Sequence, residues 1–125
     1  MKILFSLTGT VQHSTGRGKK LGYPTANIPP TNDIKDGLYV GLARLDAEKH
    51  PALIFIGPAI TFGETERKAG IYMLDFKEDL YDKEIHVDIL QKQRDNIKFE
   101  SSEELIAQMQ KDEKAAKEFF RERSL

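Results

Sequence analysis

The sequence predicts a mainly β fold, a closed or sandwiched antiparallel sheet followed by one C-terminal helix. Short apolar and β-branched runs follow one another along the chain, no helical repeat separates them, and the hydrophobic period changes near residue 101. Parallel strands need long, usually helical crossovers, so this pattern favours antiparallel pairing. The 125 residues, 39% hydrophobic and 31% charged, suit a single domain spanning residues 1–125.

Five runs are predicted as strands. In the last of them Ile85, Val87 and Ile89 alternate with polar residues, which indicates one buried and one wet face. A polar turn at 46–51 follows the second run, and a second turn at 77–83 precedes the last. The predicted strands cover residues 3–11, 38–45, 52–57, 70–76 and 84–90.

The C-terminal part carries the pattern of an amphipathic helix. Ser101 followed by Glu104 forms a capping box, which marks a helix start. Its apolar stripe comprises Leu105, Ile106, Met109, Ala116, Phe119 and Phe120. We expect this helix to close the sheet, and a helix that binds a partner is the alternative.

Charge and cysteine content narrow the function classes. A net charge of −1 argues against a general nucleic-acid binder, which needs a clustered excess of cations. The absence of cysteine excludes disulfides, thiolate metal sites and cysteine nucleophiles, and it fits a reducing compartment. The apolar opening is interrupted at Thr8 and is too short for a signal-peptide core. We therefore expect a cytoplasmic protein.

The segment TGRGKKLGYPTAN, residues 15–27, is the strongest functional signal. Its glycines allow close backbone approach, and its cations suit phosphate. Thr25 and Asn27, two apart in an extended segment, point to one side and offer oxygens that suit a hard cation. The alternative is an exposed turn with solvated lysines, in which Thr25 and Asn27 bond only to nearby backbone.

Two common phosphate-binding motifs are excluded. A Walker loop needs glycine five residues before Gly18, where this chain has His13. The dinucleotide fingerprint needs glycine three residues after Gly18, where this chain has Leu21. Any phosphate would therefore bind a loop between strands.

Several segments together resemble the riboflavin kinase family, including the kinase module of bacterial bifunctional FAD synthetases. The first is GTVQHSTGRGKKLGYPTANI, and YMLDFKEDLYDKEIHVDIL is similar to a later strand pair. DGLYVG, ITFGETE and QRDNIKFESSEELIAQMQKD complete a resemblance that covers almost the whole chain. It implies a six-stranded antiparallel Greek-key β-barrel with a C-terminal α-helix.

The resemblance also implies an activity, the transfer of the ATP γ-phosphate to the riboflavin 5′-hydroxyl, which yields FMN and ADP. Thr25 and Asn27 would hold Mg²⁺, and Arg94 and Phe99 would help form the flavin side. The expected partners are riboflavin or FMN and ATP or ADP, without nucleic acid or membrane, for a monomer. The implied nucleotide site comprises Gly16, Arg17, Gly18, Lys19, Thr25 and Asn27.

One departure concerns the catalytic base. The family carries a glutamate two residues before its His/Tyr-x-Leu-Asp-Phe segment, and that position here is Gly70. Its neighbours, Ala69 and Ile71, cannot accept a proton either. Glu66 is the candidate substitute base, because it lies at even spacing from Gly70 and would share its face if the strand extends that far.

Three hypotheses follow from this departure. The chain is a riboflavin kinase, either working or weakened by the glycine at position 70, or a non-catalytic flavin or nucleotide-binding module of the same fold. The third is a structural barrel or an interaction domain that uses its terminal helix.

Overall fold

The computed structural model describes residues 2–12, 25–30, 34–58, 66–74 and 82–123. Within these ranges it has six β-strands and one α-helix, which we call α1. The strands are β1 Phe5–Thr10, β2 Ala26–Ile28, β3 Gly37–Leu45, β4 Glu48–Gly57, β5 Lys68–Met73 and β6 Glu84–Arg94, and α1 is Ser102–Glu122.

The strands form a curled antiparallel sheet in the order β1-β6-β3-β4-β5-β2. β3, β4 and β5 pair in chain order and β6 returns beside β3, which is a Greek key. The sheet's two edges approach each other where the Gln12 N–H donates to the Asn27 carbonyl oxygen at 2.7 Å. The predicted mainly β, antiparallel Greek-key architecture with a C-terminal helix is confirmed.

The turn predicted at 46–51 is wrong in its second half. Only Asp46 and Ala47 form the turn, and β4 already begins at Glu48, which pairs with Leu45. The tight connection is possible because Asp46 adopts a φ of 56°, a left-handed conformation that aspartate tolerates. The polar residues after Ala47 therefore belong to a strand despite their composition.

The sheet buries side chains on both faces. The inner face forms the larger core, and the outer face forms a second core with α1. Each fully buried Ile or Leu contributes about 1.5–3 kcal/mol relative to exposure. The inner core includes Leu7, Ile28, Tyr39, Ile54, Ile71, Ile85 and Ile89. The outer core comprises Leu38, Val40, Leu53, Tyr72, Leu90, Ala116, Phe119 and Phe120.

The predicted helix closes the outer face. Ser101 is its N-cap, with the hydroxyl accepting from the Glu104 N–H at 3.2 Å. Met109, Ala116 and Phe119 are buried, as the apolar stripe predicts. In the described part of the chain, no helix is long and apolar enough to cross a membrane.

Two register shifts in β6 change which residues face α1. Gly41 pairs with Ile89 and Val40 with Gln91, so Leu90 is an extra residue and packs in the outer core. A second register shift lies between Tyr39 and Leu38, so that Leu38 pairs with Arg94. The end of β6 thereby presents Arg94 to the helix side of the sheet.

Candidate functional site

The pairing of β2 with β5 brings together three residues that the sequence assigned to the metal and the base. Asn27 pairs directly with Gly70. A Cβ built on Gly70 would lie 3.2 Å from the Asn27 Oδ1, 3.7 Å from the Thr25 Cβ and 3.8 Å from the Thr25 Oγ1. Two side-chain oxygens therefore lie over the position where the family has a carboxylate.

This placement follows from the two-residue period of the strands. Ala26 and Ile28 are buried in the inner core, which turns the half-buried Thr25 and Asn27 to the opposite face. On β5, Ala69 and Ile71 also point to the inner core and leave Gly70 on the face of Asn27. The alternation along each strand sets the faces, and the antiparallel pairing of β2 with β5 then brings the three residues together.

The two oxygens suit a hard cation whose other ligands are not supplied by these two side chains. Thr25 and Asn27 supply neutral oxygens, which Mg²⁺ accepts when phosphate oxygens and water complete its shell. In the described ranges, no group of three or more His, Cys, Asp or Glu residues could hold a metal ion. The two neutral oxygens of Thr25 and Asn27 bring no charge of their own to this site.

Arg94, predicted on the flavin side, forms a two-pronged ion pair with the helix. Its Nε donates to the Asp112 Oδ1 at 2.9 Å, and its Nη2 donates to the Oδ2 at 2.5 Å. Asp112 is 3% exposed and also accepts from the Gln108 Nε2 at 2.9 Å. In this structure the Arg94 guanidinium fixes α1 to the end of β6, while its role toward flavin stays a prediction.

Of the other predicted site residues, the structure describes Glu66 and Phe99. Glu66 is exposed, and β5 begins only at Lys68, so the condition for Glu66 to share the Gly70 face is not met. Phe99 is half-buried beyond the end of β6. The glycine-rich segment of Gly16, Arg17, Gly18 and Lys19 lies outside the described residues.

Sequence reasoning missed two carboxylates of α1 that reach the sheet. Asp112 binds Arg94, and Glu113 accepts from the Tyr72 hydroxyl at 2.5 Å through its Oε2. A signal existed for Asp112, which falls in the apolar stripe between Met109 and Ala116. An acidic residue in such a stripe indicates a buried cationic partner.

A separate polar cluster occupies the β1–β6 edge. The Thr8 Oγ1 lies 2.7 Å from the His86 Nδ1, and the His86 Nε2 lies 2.8 Å from the Asp88 Oδ1. The Ser6 hydroxyl also donates to that Asp88 oxygen, at 3.0 Å. Burial alone would raise the pKa of Asp88, but the hydrogen bonds from His86 and Ser6 and the nearby positive charges hold it below its ordinary value.

Comparisons with known proteins agree with this architecture. The family model Flavokinase, described as riboflavin kinase, matches residues 1–120. A bifunctional riboflavin kinase/FMN adenylyltransferase of Listeria monocytogenes is 37% identical over 120 residues, which cover 93% of this chain and 38% of the relative.

Two crystal structures share the fold. A macrolide-efflux protein from Streptococcus pneumoniae superposes with a TM-score of 0.77 at 31% identity, over 90% of this chain and 38% of that chain. The riboflavin kinase from Trypanosoma brucei superposes with a TM-score of 0.66 at 22% identity, over 93% and 76%. The chain spans only 18% and 38% of the first two curated relatives that it matches. With a family model matching nearly its whole length, the chain belongs to the riboflavin kinase family.

Proposed function

We propose that this chain is a riboflavin kinase, which transfers the γ-phosphate of ATP to the riboflavin 5′-hydroxyl and yields FMN and ADP. The observation that carries the proposal is the meeting of Thr25, Asn27 and Gly70 at the β2–β5 pair. In the family pattern these positions carry the metal ligands and the base. Family membership alone would not require them to meet, so their proximity supports the residue-by-residue assignment.

The proposed work of the chain is positioning and charge neutralisation, on which phosphoryl transfer mostly depends. Thr25 and Asn27 would hold Mg²⁺, which would supply positive charge to neutralise the transferred phosphoryl group. Gly16, Arg17, Gly18 and Lys19 would bind the nucleotide phosphates, and Arg94 and Phe99 would contribute to the flavin side. We place this reaction in the cytoplasm, in keeping with a cysteine-free chain.

Gly70 favours a second candidate, a flavin or nucleotide-binding module that performs no chemistry. Its backbone is buried beside Asn27 and offers no group to accept the proton of the hydroxyl. A positioned general base contributes about 10²–10⁴-fold to rate. A kinase without one would bind its substrates normally and turn over slowly.

One experiment separates the two candidates. The chain is incubated with riboflavin and Mg-ATP, and FMN is followed chromatographically. Flavin fluorescence is titrated in parallel, with and without Mg-ADP. FMN formation is the expected result. Flavin binding strengthened by Mg-ADP without FMN would identify the binding module, and the absence of flavin binding would contradict both candidates.

A further inference from the structure

The site lacks a proton acceptor on β5, but another residue of that strand borders it. Tyr72 follows Gly70 by two residues, on the same face and about 7 Å along the strand. Thr25 and Asn27 lie over that glycine, with the Asn27 Oδ1 3.2 Å and the Thr25 Cβ 3.7 Å from a Cβ built on it. Tyr72 is therefore the next residue on this face of β5 after the glycine that the oxygen pair covers.

Tyr72 brings a carboxylate from the helix to this face. The ring is 2% exposed, and its hydroxyl donates to the Glu113 Oε2 at 2.5 Å. The other oxygen, Oε1, lies 3.5 Å from the Lys117 Nζ, whose side chain is 59% exposed. Glu113 itself is 24% exposed, so one carboxylate oxygen is anchored by a buried phenol while the group still reaches solvent.

The helix that carries Glu113 is fixed beside it. Asp112, the preceding residue, is bound through both carboxylate oxygens by Arg94 of β6. Consecutive side chains thus attach α1 to β6 on one side and to β5 on the other. A carboxylate held in this way has the restricted position that proton transfer requires.

We infer that Glu113 accepts the proton of the riboflavin 5′-hydroxyl in place of the side chain that Gly70 lacks, an inference that rests on the proposed function. The hydroxyl O–H bond breaks, its proton passes to a Glu113 oxygen, and the hydroxyl oxygen bonds to the γ-phosphorus. The bond from that phosphorus to the β-phosphate oxygen breaks, and ADP leaves with its electron pair. The protonated Glu113 then returns the proton to solvent.

Two other carboxylates fit this role less well. Both oxygens of Asp112 are engaged by Arg94, and protonating Asp112 would break a buried ion pair. Glu66 is exposed and precedes β5.

The test compares Glu113→Gln with wild type under saturating riboflavin and Mg-ATP. Glutamine keeps the size and still accepts from Tyr72 through its carbonyl, but it cannot take up the proton. We expect kcat to fall about 10²-fold. Flavin quenching and Mg-ADP binding should remain unchanged. Glu118→Gln is the matched control, since Glu118 lies on the same helix and forms an exposed ion pair with Arg121.

Tyr72→Phe supplies a second variant that keeps the carboxylate and removes its anchor. We expect a smaller loss of kcat than for Glu113→Gln, with flavin quenching and Mg-ADP binding unchanged. If Glu113→Gln forms FMN at the wild-type rate, the inference is overturned, while the proposed function stands. Loss of activity in Glu66→Gln instead would also overturn it. Wild type that binds flavin yet forms no FMN would refute the proposed kinase function itself.

Discussion

Polar side chains lie at two places on the outer face of the sheet, the β6 side and the β2–β5 side. The two places differ in the side chains that surround these polar groups. On the β6 side, Arg94 and Asp112 neutralise each other through paired hydrogen bonds. On the β2–β5 side, the oxygens of Thr25 and Asn27 lie over Gly70, which offers them no side chain. Both sides belong to one row of paired residues that crosses the sheet. The successive partners in this row are Asn27, Gly70, Phe55, Leu38 and Arg94.

This difference separates residues that hold the fold from residues that can hold a ligand. Arg94 is held by both carboxylate oxygens of the buried Asp112, and removing one partner of such a pair leaves an uncompensated charge. Oxygen atoms beside a glycine keep lone pairs that a cation can use. The resemblance grouped Arg94 with the binding residues, whereas the geometry adds a structural task on α1.

The largest expected effect comes from removing the ion pair on the β6 side. Asp112→Ala leaves the Arg94 guanidinium without its carboxylate, and we expect the free energy of unfolding to fall by about 3–5 kcal/mol. Urea denaturation measures the loss, and Glu118→Ala on the exposed face of α1 is the control. A loss below about 1 kcal/mol would place the pair among weak surface ion pairs.

The second effect comes from restoring a carboxylate on the β2–β5 side. In the Glu113→Gln background, we expect Gly70→Glu to raise FMN formation about 10²-fold, worth about 2.7 kcal/mol of activation free energy. In the otherwise wild-type chain the gain should be smaller, because Glu113 already accepts the proton. The new Cβ would lie 3.2 Å from the Asn27 Oδ1, so that carboxamide must shift by a few tenths of an ångström. Gly70→Gln controls for the shift, and an equal gain from it would refute the assignment.

A smaller effect follows from removing the oxygens themselves. Thr25→Ala or Asn27→Ala should weaken Mg-ADP binding about tenfold, or about 1.4 kcal/mol, with thermal unfolding preserved. Thr8→Ala removes a hydroxyl from the opposite edge of the sheet and should leave Mg-ADP binding unchanged. Isothermal titration provides the measurement. Loss of thermal stability with unaltered binding per folded molecule would make Thr25 and Asn27 structural.

The smallest effect concerns the cluster on β1 and β6. Because the pKa of Asp88 is lower in the folded protein than in the unfolded chain, the ionised Asp88 carboxylate stabilises the fold. This stabilisation is full at pH values above the unfolded-state pKa, and it is lost as the pH falls through the folded-state pKa. Ser6→Ala removes one hydrogen bond to that carboxylate and should cost about 0.5–1 kcal/mol at neutral pH. The difference in unfolding free energy between Ser6→Ala and wild type should become smaller at acidic pH. Urea midpoints at neutral and strongly acidic pH measure it, and a deficit that does not change between them would contradict the assignment.

Local pattern was sufficient for most elements and for the alignment of the oxygen pair. Alternation along β6 and the stripe on α1 predicted which faces are buried, because burial follows the period of each element. β2 escaped prediction because three residues, Ala26–Ile28, show no repeat. The partner of Arg94 lies 18 residues away and that of Tyr72 lies 41 away, and no local repeat encodes such pairings.

The seam where the sheet's edges meet has a consequence for how the family can vary. Gln12 and Asn27 are joined by a backbone hydrogen bond, and residues 13–24 connect one side of this bond to the other. Length changes within that connection cost little closure entropy, since the cost grows only with the logarithm of length. A chimera that carries another family member's residues between Gln12 and Thr25 should therefore unfold at a similar temperature.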